Sequence, residues 1–179
     1  MAVQQDRHKK PRPPLDGEAL ERLALFYAGR YATTRAKLAS YLKRKLKERG
    51  WEGSGSPPVE RLVERFSELG YVNDRAFAVA KAGSLQRRGY GGRRVDQALF
   101  AAGIGEEDAV EAREQTEAGA WEAALRFAER KRIGPFAAGE LDRNARQKAF
   151  AAMVRAGHSM ETARKLVNAR AGEVPDRDG

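Results

Sequence analysis

Apolar residues recur along this chain at helical spacing, and a glycine, proline or capping residue closes each run. Leu20, Leu23, Ala24 and Tyr27 mark one face of a first helix, which Gly29 to Thr33 breaks. Thr34 is an N-cap for a second helix, whose buried stripe is Leu38, Leu42 and Leu46 and whose end is Gly50. A Gly/Ser/Pro loop follows. Ser56 then reads as an N-cap with Pro57 at the first helical position, and Val59, Leu62, Val63, Phe66 and Leu69 carry a third helix to Gly70. Asn73 or Asp74 caps a fourth helix with Phe77, Ala80 and Leu85 inward. After the interruption Arg88-Gly89-Tyr90-Gly91-Gly92, Val95, Ala98, Leu99 and Ala102 define a fifth. Residues 106–117 form a sixth, anchored on Val110, with acids in its first turn where the helix dipole favours them. Trp121, Ala124, Leu125 and Ala128 mark a seventh, stopped by Gly134-Pro135. Leu141, Ala145, Ala149, Ala152, Met153 and Ala156 mark an eighth, and Ser159 caps a ninth through Ala163, Leu166 and Val167.

The helices fall into threes. Leu46-Lys-Glu-Arg-Gly50-Trp51, Leu99-Phe-Ala-Ala-Gly103-Ile104 and Met153-Val-Arg-Ala-Gly157-His158 share one form, and each closes the second helix of a set. A period of about 50 residues predicts a tandem array. The expected organisation is a basic mobile arm (1–15), three-helix repeats at 16–71, 72–118 and 119–171, and a polar tail (172–179). The fold class is all-α, three tandem three-helix bundles in an elongated array.

Composition supports helices with small contacts. Leu, Val, Phe and Ile supply 33 of the 179 residues, while Ala alone supplies 31. The β-branched residues number only 16, which leaves little material for strands. So few bulky residues also raise disorder as a reading, but their periodic placement argues against it. The longest wholly apolar run, Ala149 to Val154, is far short of the roughly 20 residues that span a bilayer. No apolar stretch follows the basic start, so no secretory signal is expected, and a soluble cytoplasmic protein is the default.

Catalytic chemistry finds little footing. Zero cysteines exclude thiol catalysis, disulfides and Cys-ligated metal. Phosphate-loop, zincin and nucleophile-elbow motifs are absent, and no glycine run completes a dinucleotide fingerprint. Of the two histidines, His8 lies in the arm and His158 at a helix turn, where it caps or packs. No enzyme activity, metal or cofactor is expected.

Charge is the informative feature. The net charge is +9, but it is unevenly distributed. Residues 30–50 hold eight basic residues and one acid; residues 81–94 hold five basic residues and no acid; residues 106–117 hold six acids and one Arg. Such blocks create a directed field. With the leucine stripe of the second helix inward, Lys43, Arg44 and Lys47 project outward. Arg93 and Arg94 open the fifth helix, where cations oppose the dipole, so a partner is suggested. Arg87-Arg88-Gly-Tyr90-Gly-Gly-Arg93-Arg94 reads as a flexible glycine-rich loop, with Arg for phosphate forks and an aromatic for stacking. The bland alternative is a solubilising surface paired with the acidic sixth helix. Arg130-Lys131-Arg132 suits the negative end of its own helix.

These stretches resemble a known family. Gly70-Tyr-Val-Asn-Asp74-Arg-Ala-Phe77-Ala78, then Arg87-Arg-Gly-Tyr-Gly-Gly-Arg-Arg-Val95 and Leu99-x-x-x-Gly103, look like the central repeat of RecX regulatory proteins. Thr34-Arg35-Ala-Lys37-Leu38 resembles the start of the first-repeat helix, although Lys37 stands where an acid is often found. Residues 151–159 resemble the third repeat. The resemblance implies a bacterial, non-catalytic regulator of recombination and DNA repair. It implies binding to the RecA recombinase filament on single-stranded DNA, limiting filament growth, ATP hydrolysis and strand exchange. Arg87, Arg88, Tyr90, Arg93 and Arg94 are the expected contacts in the central repeat, and Arg35, Lys43, Arg44 and Lys47 in the first. A monomer is expected. The alternative is a DNA-binding protein, nonspecific or of helix-turn-helix type, that acts without RecA.

Overall fold

The computed structural model describes residues 13–177. Among them the chain is all α, and it divides into two compact units that meet between Asn73 and Asp74.

The first unit holds α1 (Gly17–Arg30), α2 (Arg35–Arg49) and α3 (Val59–Glu68). Its core is built from the predicted faces: Leu20 and Ala24 of α1, Leu38 and Leu42 of α2, and Val59, Leu62, Val63 and Phe66 of α3. Asp16 accepts from the Ala19 N–H, and Thr34 from the Lys37 N–H, so two orphan helix donors are satisfied. Two expectations shift. Residues 1–12 of the proposed arm lie outside the described residues, but Leu15 is fully buried. Its N–H donates to the Gly50 carbonyl and its carbonyl accepts from the Glu52 N–H, so it closes the core like a short strap. The third helix begins at Val59, with Pro58 rather than Ser56 at its cap. The physical reason is the second proline: the residue before a proline is driven out of the helical region, so Pro57 cannot start the helix. Leu69, expected in the buried stripe, falls just past α3 and is exposed.

The second unit holds α4 (Asp74–Arg87), α5 (Gly92–Ala101), α6 (Glu106–Ala118), α7 (Ala120–Lys131), a 3₁₀ turn (Gly134–Phe136), α8 (Arg143–Arg155) and α9 (Met160–Asn168). α4, α5 and α6 form one bundle around Ala78, Ala82, Leu85, Val95, Leu99, Ala109 and Ala112. α7, α8 and α9 form another around Phe127, Met153, Leu166 and Val167. The α4–α6 contact is lined by alanines, which lets the two helices approach closely. It also rotates α6 so that Ala109, Ala112 and Thr116 face inward. Val110, the expected anchor, is half exposed, and Ala80 likewise points out. Leu141 precedes α8, which Asp142 caps by accepting from the Ala145 N–H.

The repeated glycine does the same work in both bundles of this unit. Gly103 and Gly157 take positive φ, 71° and 97°. The following N–H then reaches back five residues, Ile104 to the Leu99 carbonyl and His158 to the Met153 carbonyl. In the first unit Gly50 also has positive φ, but Trp51 pairs with the Leu15 strap instead.

Candidate nucleic-acid interface

The arginine-glycine segment between α4 and α5 meets the α7–α9 bundle, and it is clamped rather than free. The Gly91 N–H donates to the Ala156 carbonyl at 3.0 Å, and the Arg93 N–H to the Gly157 carbonyl at 3.2 Å. A Cβ on Gly91 would lie 2.4 Å from the Gly157 oxygen, and one on Gly89 would lie 2.8 Å from the Phe127 nitrogen. The glycines therefore serve close backbone approach between the two bundles.

His158 completes the clamp. It is buried, and its Nε2 lies 3.1 Å from the Gly89 carbonyl. A carbonyl only accepts, so Nε2 carries the proton. Burial pushes the imidazole below the usual histidine range, and the bond to Gly89 offsets this only in part. The unfolded chain therefore binds a proton more readily than the folded one. Stability contributed here is complete above about pH 6.5, and it declines as pH falls from there through the lower folded value. Urea unfolding at pH 7.5 and 5.5 should show this loss in the native sequence. His158→Gln keeps an amide donor and should show less of it; an equal loss in both would remove His158 as the cause.

The clamp fixes a cleft of about 340 Å³ on one side of the segment. Lys81, Arg88, Tyr90, Arg94 and Gln97 supply its polar lining, and no carboxylate lines it. Among the described residues, Lys81, Arg88, Arg93 and Arg94 form no ion pair. Two acids of α6, Glu106 and Glu111, are engaged elsewhere. Glu111 pairs with Arg75 at 2.7 Å, and Arg113 bridges Glu106 and Asp96. Those pairs lower the Glu106 carboxyl and raise the Arg113 guanidinium relative to their ordinary values. The bland reading of the loop arginines as partners of the acidic helix thus has no support in the geometry. Arg93 and Arg94 do stand in the first turn of α5, which holds no acid, so their positive charge opposes the helix dipole.

The predicted residues are not equivalent. Arg88, Tyr90 and Arg94 meet in the cleft. Arg87 turns away, with its guanidinium over Gly83, and Arg93 does not line the cleft. Tyr90 is not a free loop aromatic. It is half buried between the two cores, with the Arg88 and Arg130 guanidiniums 5.3 and 5.9 Å from its ring centre. Arg130 of α7 is a member that sequence reasoning missed. It donates to the Arg88 carbonyl from 42 positions away, and nothing local in the chain announces that approach. Lys81 was counted in the basic block but not singled out. Phe100 is also without a predicted role, although it is 86% exposed on α5. The outward side of the Val95–Leu99 stripe was the signal for it.

In the first unit, Arg35 stands half-buried in the first turn of α2, and Lys47 is exposed in its last. Lys43 reaches Glu60 of α3 at 2.8 Å, which lowers the Glu60 carboxyl. Arg44 lies 3.7 Å from Glu48 and over the Tyr41 ring. Such exposed pairs are worth little and can be exchanged for an external anion. No helix among the described residues is long and apolar enough to cross a membrane, and no cluster of His, Cys, Asp or Glu among them could hold a metal.

Three-helix bundles that present a carboxylate-free basic cleft define a helical-repeat protein with a basic surface. A family model described as the second three-helix domain of RecX matches residues 73–112. "Regulatory protein RecX" of Myxococcus xanthus is 35% identical over 169 residues, 89% of each chain, and that of Agrobacterium fabrum is 29% identical over 157 residues, 86% of this chain and 84% of the relative. The chain belongs to the RecX family of regulatory proteins. Its fold is also that of a crystal structure of RecX from Lactobacillus salivarius (TM-score 0.67, 18% identity, 84% of this chain and 93% of that one). A second crystal structure of regulatory protein RecX gives a TM-score of 0.61 at 20% identity, covering 84% of this chain and 72% of that one.

Proposed function

We propose that this protein binds RecA filaments on single-stranded DNA and limits their growth, ATP hydrolysis and strand exchange, without catalysis of its own. The observation that carries this reading is the clamped cleft: Lys81, Arg88 and Arg94 converge on it, and no carboxylate lines it. Cations held on paired helices without a carboxylate partner face an external polyanion. A filament of protein on single-stranded DNA offers phosphates together with acidic protein side chains. The name of the family, regulatory protein RecX, supports the same partner. The three-helix sets at 16–71, 72–118 and 119–171 would act as successive contact modules of a monomer.

The test is the DNA-dependent ATPase of RecA. Substoichiometric amounts of this protein should slow it. An unchanged rate at equimolar protein would end the filament reading. A pull-down on RecA–single-strand filaments should retain far more protein than the same DNA alone. Equal retention, or a sequence-specific duplex footprint without RecA, would favour a DNA-binding protein acting by itself.

A further inference from the structure

The first unit holds a feature that the cleft does not use. The C-terminal half of α1 and the outward side of α2 enclose a groove of about 500 Å³ whose lining is aromatic and basic. Tyr27 stacks on Tyr41 with ring centres 4.2 Å apart and planes 11° from parallel. Tyr31 leans on Tyr27 at 5.4 Å. Phe26 is 58% and Tyr31 50% exposed, so two rings of this set face solvent. Cations sit around the rings. The Arg30 guanidinium lies 5.9 Å from the Phe26 centre and 5.8 Å from that of Tyr31; Arg44 and Lys45 lie 5.6 and 5.9 Å from Tyr41. No carboxylate lines the groove. The acid closest to these cations is Glu48, which pairs with Lys45 at 2.5 Å and with Arg44 at 3.7 Å.

We propose that this groove is a second, independent binding site, which takes the bases of single-stranded nucleic acid by stacking while the surrounding cations hold its phosphates. Exposed rings are costly on a surface unless something covers them. A single strand offers flat π-faces at each base and a phosphate beside each one, which matches alternating rings and cations. A purely apolar protein partner would leave Arg30 and Arg44 without purpose, and a purely acidic one would leave Phe26 and Tyr31 so. Arg30 alone has a simpler reading, since a cation suits the end of α1. Tyr27 and Tyr41 pack on the core of the first unit, whereas Phe26 and Tyr31 stand outside it and have no such reading. This inference does not rest on RecA binding or on the cleft of the second unit.

The test uses the full chain without RecA and compares three probes: oligothymidylate, an abasic oligonucleotide of equal length, and polyglutamate. The native chain should prefer oligothymidylate to the abasic strand. Phe26→Ala/Tyr31→Ala should lose roughly tenfold in oligothymidylate affinity. Its abasic and polyglutamate affinities and its salt slope should stay as they were, because stacking releases no counterions. Tyr31→Phe should retain the preference, since the ring and not the hydroxyl stacks. Photocrosslinking of an iodouracil-containing strand should map to Phe26 or Tyr31, and this reading stands even if the double variant folds poorly. Equal native affinity for the abasic strand would overturn the proposal. So would crosslinks confined to other residues, or a loss on polyglutamate equal to that on oligothymidylate, which would mark an acidic protein partner.

Discussion

Gly91→Ala is expected to destabilise the second unit by about 1 to 3 kcal/mol, at the contact between the α4–α6 and α7–α9 bundles. The added methyl would lie 2.4 Å from the Gly157 oxygen and 2.6 Å from the His158 nitrogen. Both are backbone atoms, so no side chain can rotate aside. Overpacking of this kind costs about 1 to 3 kcal/mol. Parting the bundles would relieve that strain but forfeit the Gly91–Ala156 and Arg93–Gly157 hydrogen bonds, at about 1 kcal/mol each. Either cost is a sizeable part of a domain's usual stability of about 5 to 15 kcal/mol. Gly139→Ala is the control. No atom lies within 4 Å of its added methyl, and its φ is not positive. Urea unfolding should show a lower midpoint for Gly91→Ala alone. A shift under about 0.5 kcal/mol, the usual range of a surface change, would show that the bundles do not depend on this contact.

The second large effect concerns binding. Lys81→Ala/Arg88→Ala/Arg94→Ala should weaken binding to single-stranded DNA about 50-fold at 0.15 M salt. Each phosphate contact contributes about 0.7 to the slope of log affinity against log salt. Removing three should flatten that slope by about 2, and the same dependence referred to 1 M salt gives the 50-fold loss. Arg87→Ala/Arg93→Ala removes two cations of the same segment that do not line the cleft. Its loss should be less than half as large on a logarithmic scale. A helical circular dichroism spectrum confirms that either variant is folded. Equal losses from the two variants would mean that net charge, rather than the cleft, governs binding.

The two experiments probe linked features. Arg88 and Arg94 flank the clamped glycines, so Gly91→Ala should also weaken binding although it changes no charge. This coupling was hidden from sequence reading, which took Arg88-Gly-Tyr90-Gly-Gly as a flexible loop because glycine permits mobility. Glycine also permits backbone-to-backbone approach, and only the partner across the gap distinguishes the two uses. Here the partners are Phe127, Ala156 and Gly157, more than thirty positions away. For the same reason, Tyr90 turns out to be half buried, and Arg130 joins the site.

What the sequence by itself determined is everything governed by local spacing. Leu38 and Leu42, Val95 and Leu99, and Ala163 and Val167 are each four positions apart, and helical periodicity places each pair on one face. Gly103 and Gly157 end helices because each takes a positive φ that other residues resist. The clustering of arginine between α4 and α5, and the absence of acids beside it, were equally legible. What only the tertiary structure decided is how the faces meet. Alanine contacts between α4 and α6 turned Val110 outward. The strap at Leu15 joined a segment expected to be mobile. The clamp at Gly91 and Gly157 joins the α4–α6 and α7–α9 bundles and places Arg88 and Arg94, rather than Arg87 and Arg93, along the cleft. Each of these depends on the distance between atoms remote in the chain, and helical periodicity fixes only which side a residue takes on its own helix.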